Sequence, residues 1–394
     1  MRLLHTSDWH LGRTFHGADL LADQESVLDR LVEITASEGV DAVLVAGDIY
    51  DRAVPSAETV RVATRALERI RRAGAELIIT SGNHDSAARL GAFSGFAAAG
   101  GLHLRTTIEE LAEPVLLPWD DAATGGVAVY GIPYLEPEPV RHLLGIDERG
   151  HTAVLGEAMR RIRADLASRE GTRGVVLAHA FVTGADASGS ERTIAVGGVE
   201  QVPASVFDGV DYVALGHLHS PQRVTETVRY SGSPLAYSFA ERADRKSVWL
   251  VDLEHGGVTG VRRYELPVPR ALATVTGTLE ELLSGEQYAG LEECYVAATL
   301  TDPVRPLEAM RKLRERFPYA VHLEWLPDGD SGRVPLRYAE AVRGRTDRQI
   351  TGGFLADCRG AEPTGTEQAW LDEALAWAGT AERPGHAGDG GDAE

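Results

Sequence analysis

Five times in this chain a short apolar run breaks off directly into side chains that ligate metals. The run at residues 3–4 leads into Thr6-Ser7-Asp8-Trp9-His10-Leu11-Gly12. The run at 40–46 ends in Gly47-Asp48, and that at 76–80 in Gly82-Asn83-His84-Asp85. Residues 174–177 run into Ala178-His179-Ala180, and 211–215 into Gly216-His217-Leu218-His219. Short unbroken apolar runs are the signature of strands buried on both faces, as in parallel sheets. Open α/β sheets place their sites just beyond the carboxyl ends of such strands. One block of this kind is readily accidental. Five blocks, holding five of the thirteen histidines, imply one sheet whose strand ends share an edge. Within the first block, residues two apart leave an extended chain on the same side, so Asp8 and His10 are expected to converge.

The intervening segments support a parallel sheet. Residues 22–38 carry Leu28, Leu31, Val32 and Ile34 at helical spacing. Residues 56–73 read as a second helix, with Ser56 as N-cap and Gly74 as stop. Alternating strands and helices imply crossover connections. Further strands at 115–117, 127–130, 228–231, 247–252 and 258–264, a loop at 131–134 and a helix at 156–167 complete the pattern. The expectation for residues 1–266 is α/β: two packed sheets flanked by helices. Pro267 and Pro269 mark a boundary. Residues 267–330 read as a small α+β unit, with strands at 274–278, 295–301 and 321–325 and helices at 279–283 and 307–317. Residues 331–378 read as a polar linker and a helical segment whose large apolar residues include Trp370, Leu371, Leu375 and Trp377. The Gly- and acid-rich stretch 379–394 reads as disordered.

Composition excludes several classes. The 43% hydrophobic content indicates a globular chain, and no run approaches the ~18 apolar residues of a membrane span. The two cysteines, Cys294 and Cys358, read as free thiols of a reducing compartment, and the expected location is cytoplasmic and nucleoid-associated. A net charge of −20 argues against a generic nucleic-acid coat. It leaves a phosphate substrate open, because bound metal supplies local positive charge. Only Lys246 and Lys312 are lysines among the basic residues.

Oxygen and imidazole donors without thiolate suit two divalent ions such as manganese, iron or zinc. Asp48 is the natural bridge, one oxygen to each ion. Ions ~3.5–4 Å apart can hold an attacking water and a phosphoryl oxygen together. Two carboxylates, Asp8 and Asp48, with Asn83 and neutral His10, His179, His217 and His219, leave an excess of positive charge facing a phosphodiester. His84 follows Asn83 and so aims elsewhere. It suits protonation of a leaving oxygen or stabilisation of phosphoryl charge. Such a histidine needs a partner that fixes its tautomer. Asp51 is the first candidate; Asp85 is the alternative, though it equally suits bracing a turn. Arg13, Arg52 and Arg89 lie beside the metal motifs, as phosphate contacts or as solvated loop charges. The chain has no Gly-x-x-x-x-Gly-Lys-Ser/Thr loop, so an ATP requirement would come from another subunit.

In order and spacing, Asp8-x-His10, Gly47-Asp48-x-x-Asp51, Gly82-Asn83-His84-Asp85, His179 and Gly216-His217-x-His219 resemble the calcineurin-like metallophosphoesterase superfamily. Thr6 through Arg13, Gly216 through Gln222, and Tyr230-Ser231-Gly232-Ser233-Pro234 with Ser238-Phe239-Ala240-Glu241 are similar to its bacterial SbcD branch. The likeness is strong over residues 1–265 and one of layout beyond. It implies that Asp8, His10, Asp48 and His219 hold one manganese ion, that Asp48, Asn83, His179 and His217 hold the other, and that His84 is catalytic. It implies a DNA nuclease of repair, recombination and replication, acting as an exonuclease on double strands and an endonuclease on single strands and hairpins. It also implies a capping role for the α+β unit, docking of the C-terminal helix on an SbcC-type coiled-coil ATPase, and a homodimer within a heterotetramer. Gly47-Asp48-x-x-Asp51-Arg52 looks instead like the phosphatase branch. The alternative is therefore a metallophosphatase of small phosphoesters or phosphoproteins.

Overall fold

The computed structural model describes residues 1–119, 125–182, 184, 202–327, 344–359 and 362–381. Contacts divide the chain into two units, Met1–Leu272 and Ala273–Glu394. The core of the expected linker, 328–343, and the tail, 382–394, lie outside the described residues.

Two six-stranded sheets build the larger unit. The first runs, strand by strand, Gly257–Glu265, Ser247–Glu254, Arg2–Thr6, Ala42–Ala46, Glu76–Thr80 and Leu102–Arg105. Its last four strands are parallel, in a register that sets Leu3 beside Ala42, Val43 beside Leu77 and Leu77 beside Leu102. Ser247–Glu254 pairs antiparallel to Arg2–Thr6, and Gly257–Glu265 antiparallel to Ser247–Glu254. The second sheet runs Gln222–Arg223, Val228–Tyr230, Tyr212–Gly216, Arg173–His179, Gly126–Ile132 and Val115–Pro118. Its four central strands are parallel, with an antiparallel strand at each edge.

The apolar runs form strands because both faces of each central strand are covered. All five residues of Ala42–Ala46 are buried. Leu3, Leu44 and Ile78 of the first sheet meet Val129, Val175, Leu177 and Tyr212 of the second in one core. On the far side of the second sheet, Val154, Leu155, Ala158, Met159 and Ile162 of the helix His151–Leu166 pack with Tyr130, Val176 and Val213. The helix Ala57–Arg72 lies against Glu76–Thr80. Ser56 caps it as the sequence predicts, accepting from Thr59 N at 3.1 Å. His5 ties the two sheets together inside the sandwich. Its Nδ1 lies 3.0 Å from the Tyr212 hydroxyl and its Nε2 3.1 Å from the Leu215 carbonyl. Burial pushes its pKa down to about 3, so the ring stays neutral.

Three elements depart from expectation. The strand Gly126–Ile132 absorbs Gly131 and Ile132, which the sequence pattern places in a loop. A Cβ at Gly131 would collide with the Arg105 side chain, a close approach that reconciles a glycine with a strand interior. Leu102–Arg105 adds an edge strand, and Pro137–Leu144 adds a helix.

The smaller unit carries a three-stranded sheet of Leu272–Gly277, Tyr295–Leu300 and Ala320–Trp325. The helices Leu279–Ser284 and Ala309–Arg316 help to build its core with Val275, Leu282, Val296, Leu313 and Phe317. Thr278 and Glu281 form a reciprocal capping box. Two further helices, Asp347–Arg359 and Gly365–Ala381, follow. No helix among the described residues is long and apolar enough to cross a membrane.

Candidate metal centre

The five ligand blocks come from two sheets, not one. Asp8/His10, Asp48 and Asn83/His84 follow strands of the first sheet. His179 and His217/His219 end or follow strands of the second. Packing face to face brings both sets of carboxyl ends to a common rim. His179 Nδ1 donates across to the Ala46 carbonyl at 2.9 Å, and His217 N donates to Asp8 Oδ1 at 3.1 Å. Gly216 permits this approach, since a Cβ there would overlap the Ala46 carbonyl.

Asp8 and His10 do converge, but by a different backbone route. Both have positive φ, 53° and 43°, as do Asp48 at 52° and His217 at 105°. Left-handed backbone at a non-glycine residue costs on the order of 1–3 kcal/mol. Hydrogen bonds between the first two ligand loops hold it: Asp8 N to the Gly47 carbonyl, His10 N to that of Asp48, both 3.0 Å, and Leu11 N to that of Ile49, 2.9 Å. Gln24 clamps the same turn, donating to the carbonyls of His10 at 2.7 Å and Trp9 at 3.2 Å and accepting from Gly12 N at 3.0 Å.

The donor atoms interlock. His10 Nε2 and His219 Nε2 face each other at 3.1 Å. Asp48 Oδ2 lies 3.5 Å from His10 Nε2 and 3.4 Å from His179 Nε2. Asn83 Oδ1 lies 3.0 Å from His179 Nε2 and 3.2 Å from His217 Nδ1. Asp8, His10 and His219 form one triad of mutually close ligand atoms, Asp8, Asp48 and His179 a second, and His10, Asp48 and His84 a third. Burial raises the Asp8 carboxyl to about 6. Burial opposes charge on His179 too, but the facing Asp48 prevails and lifts it to about 9. Asp48 is also buried, yet His179 and His10 hold it well below the usual carboxylate range. Burial pushes His10 far down and His217 to about 3. Imidazole nitrogens turned toward buried carboxylates, two of them face to face, form a donor set that fits divalent cations.

His84 is half-buried and differently held. Its N–H donates to Asp48 Oδ1 at 2.9 Å, and its Nδ1 meets the Asp51 main-chain carbonyl at 2.9 Å. Its ring stands edge-on to His10 at 4.7 Å. Neither expected carboxylate makes that contact. Asp51 Oδ1 lies 3.4 Å from an Arg13 nitrogen and 3.7 Å from His10 Nδ1. The Asp85 carboxylate accepts from Ile49 N, Tyr50 N and Gly82 N at 3.0–3.2 Å and so braces the turn. Arg13 lies over the Tyr237 ring at 5.0 Å. Arg52 and Arg89 are exposed.

Gly82 is fixed by its neighbour. A Cβ there would collide with the Asp48 carboxylate and its backbone nitrogen. Gly82→Ala is expected to displace Asp48, lowering bound metal while leaving the sandwich folded. Elemental analysis of the purified variant beside its circular-dichroism melt checks this.

Residues 1–221 match the calcineurin-like phosphoesterase family, and residues 268–344 match the type 5 capsule protein repressor C-terminal domain. The chain is 33% identical over 294 residues to SbcD of the SbcCD nuclease from Escherichia coli K12, covering 72% of each protein. The same protein from Escherichia coli O157:H7 gives the same figures. The chain belongs to the SbcD family of calcineurin-like phosphoesterases. A dimetal phosphatase from Danio rerio aligns structurally over 68% of this chain and 99% of its own, at 12% identity and a TM-score of 0.35.

Around this SbcD-family centre stand residues that strand-end reasoning does not assign. Ser7 Oγ donates to the Asp8 carboxylate and lies 2.7 Å from Ser231 Oγ. The Tyr237 hydroxyl donates to the Trp9 carbonyl, and its ring stands edge-on to both His10 and His219. Glu241 and Lys246 form a buried ion pair, 2.6 Å apart, behind His219. Of these, Ser7, Ser231 and Glu241 fall in stretches similar to the family's, whereas Tyr237 and Lys246 carry no sequence signal.

Proposed function

We propose that this chain is a metal-dependent DNA nuclease subunit, a manganese enzyme that hydrolyses phosphodiesters. Its expected actions are exonuclease cleavage of double strands and endonuclease cleavage of single strands and hairpins, in repair, recombination and replication. The observation that carries the reading is the convergence of Asp8, Asp48 and four histidines with His84 at one rim, in a chain akin to a nuclease. Asp8, His10, Asp48 and His219 would hold one ion, and Asp48, Asn83, His179 and His217 the second. Bound divalent ions polarise a phosphoryl oxygen and lower the pKa of water.

The protein's own contribution centres on His84. The Asp51 carbonyl accepts from Nδ1–H whether or not Nε2 is protonated, so the ring keeps its orientation while Nε2 gains or loses a proton. That suits it to protonate a leaving oxygen. Asp51 contributes through that carbonyl, while its carboxylate faces His10 and Arg13. Arg52 and Arg89, exposed, and Arg13, stacked on Tyr237, are candidates for phosphate contacts.

In this reading residues 1–266 are the nuclease domain and 267–330 a capping domain that helps position DNA. Residues 331–378 link to a helix that docks on an SbcC-type coiled-coil ATPase. Trp370 and Trp377 on that helix are 65% and 77% exposed, the kind of apolar surface a partner covers. Phe93 and Phe96, 79% and 84% exposed, offer a face for pairing two copies within a heterotetramer. Deleting residues 349–394 is expected to abolish co-purification with the ATPase and spare metal binding. The function itself is tested by comparing cleavage of a hairpin DNA with that of a nitrophenyl phosphate monoester, in the presence of divalent metal. Preference for the monoester would favour the phosphatase alternative and sink the nuclease reading.

A further inference from the structure

One of the chain's two lysines, Lys246, is 2% exposed and lies directly behind His219. Its ammonium donates to Glu241 Oε2 at 2.6 Å, the His219 carbonyl at 3.0 Å and Ser233 Oγ at 3.2 Å. Those three acceptors use all three ammonium protons, an arrangement that the planar fork of arginine does not reproduce. Glu241, 1% exposed, also accepts from Tyr237 N at 3.3 Å on the same oxygen. Its other oxygen, Oε1, faces His219 Nδ1 at 3.6 Å. A buried ion pair is a weak source of stability, because desolvating two charges offsets their attraction. Its place behind a ligand histidine points to another use. An imidazole that ligates through Nε2 carries its proton on Nδ1. A carboxylate behind Nδ1 fixes that tautomer and makes the ring a better donor.

We propose that Glu241, clamped by Lys246, is a positioning residue that holds the His219 ring with Nε2 toward Asp8 and His10 and thereby sets the affinity of that cation site. The proposal rests on the metal-dependent reading above. A contrast inside the centre makes it specific. His179 Nδ1 is backed by the neutral Ala46 carbonyl, whereas His219 and His10 have the carboxylates of Glu241 and Asp51 behind them, at 3.6 and 3.7 Å. Removing the charge of Glu241 therefore perturbs the Asp8/His10/His219 site and spares the one built on His179 and His217.

The test is titration of manganese into metal-stripped full-length protein, followed by calorimetry and by the paramagnetic resonance of the free ion. Wild type is expected to show two binding classes. Glu241→Gln, which keeps the volume, should weaken one class ~10–100-fold and leave the other unchanged. Nitrogen-15 spectra of His219 in the metal-free protein should show the Nδ1–H tautomer in wild type and a mixture in the variant. The double variant Glu241→Gln/Lys246→Met leaves no ammonium unpaired, so it guards against a single variant that fails to fold, and it should show the same selective loss. Unchanged isotherms and an unchanged tautomer in folded variants overturn the positioning role alone. Equal weakening of both classes overturns it as well, marking general destabilisation. Wild-type protein that binds no manganese overturns the metal-dependent reading itself.

Discussion

Replacing His84 with glutamine is expected to slow DNA cleavage ~10²–10⁴-fold at saturating metal, the usual contribution of a positioned acid–base group. That range corresponds to about 3–5 kcal/mol of barrier. The change should be confined to chemistry for a structural reason. The hydrogen bond between residue 84 and the metal centre is a main-chain one, His84 N to Asp48 Oδ1, which a side-chain substitution leaves in place. Glutamine can still donate to the Asp51 carbonyl, but it cannot pass a proton. Bound metal, melting temperature and DNA affinity should therefore match wild type. Single-turnover cleavage of an end-labelled hairpin, with the metal content of the same sample, separates the outcomes. Cleavage at the wild-type rate would remove His84 from the chemistry, and lost metal would make it a structural part of the centre.

The candidate ligands are legible in the sequence because each is local: an apolar run and, within a few residues, a donor side chain. Asp48 and His179 need no knowledge of the fold to be singled out. Which layer each strand joins is not legible, since Ala42–Ala46 and Arg173–His179 are both buried apolar runs that carry no mark of their sheet. The left-handed backbone at Asp8, His10, Asp48 and His217 is equally hidden. Non-glycine residues adopt it only where tertiary contacts, here those between the first two ligand loops, hold it in place. Chemistry points to a carboxylate as the partner of His84, but a main-chain carbonyl fills that role, and any residue at position 51 presents one. Gln24, Glu241 and Lys246 are polar side chains buried by segments far from their own. The strand Leu102–Arg105 has two polar side chains in four residues at a sheet edge, too weak a pattern to stand out.

Replacing Asp48 with asparagine is expected to have the broadest effect, because this carboxylate belongs to two of the three ligand triads and also receives His84 N. Bound divalent metal should fall to one ion or none, and cleavage to the level of the metal-free protein. The metal-free fold offers a second check, with a definite sign. Asp48 lifts His179 to about 9, so the His179 charge stabilises the fold fully below its unfolded value near 6.5, and that stability is lost as pH rises through about 9. Asp8, raised to about 6 by burial, adds a loss in the same direction from about 3.9 to about 6, which tails off just above pH 6 and leaves the rest of the slope to His179. Metal-stripped wild type should thus melt at progressively lower temperature from pH 6 to pH 9. Divalent metal reverses the trend: it displaces protons from Asp8 and His179, so the gap between metal-loaded and metal-free melting temperatures widens with pH. In Asp48→Asn the main cause of the His179 shift is gone, and burial is opposed only by Asp8 and the Ala46 carbonyl, so the ring loses charge at lower pH. The metal-free variant should lose the His179 part of the slope above pH 6.5, and added metal should restore little. A variant that kept both the steep slope and two bound ions would show that Asp48 neither bridges the ligands nor charges His179.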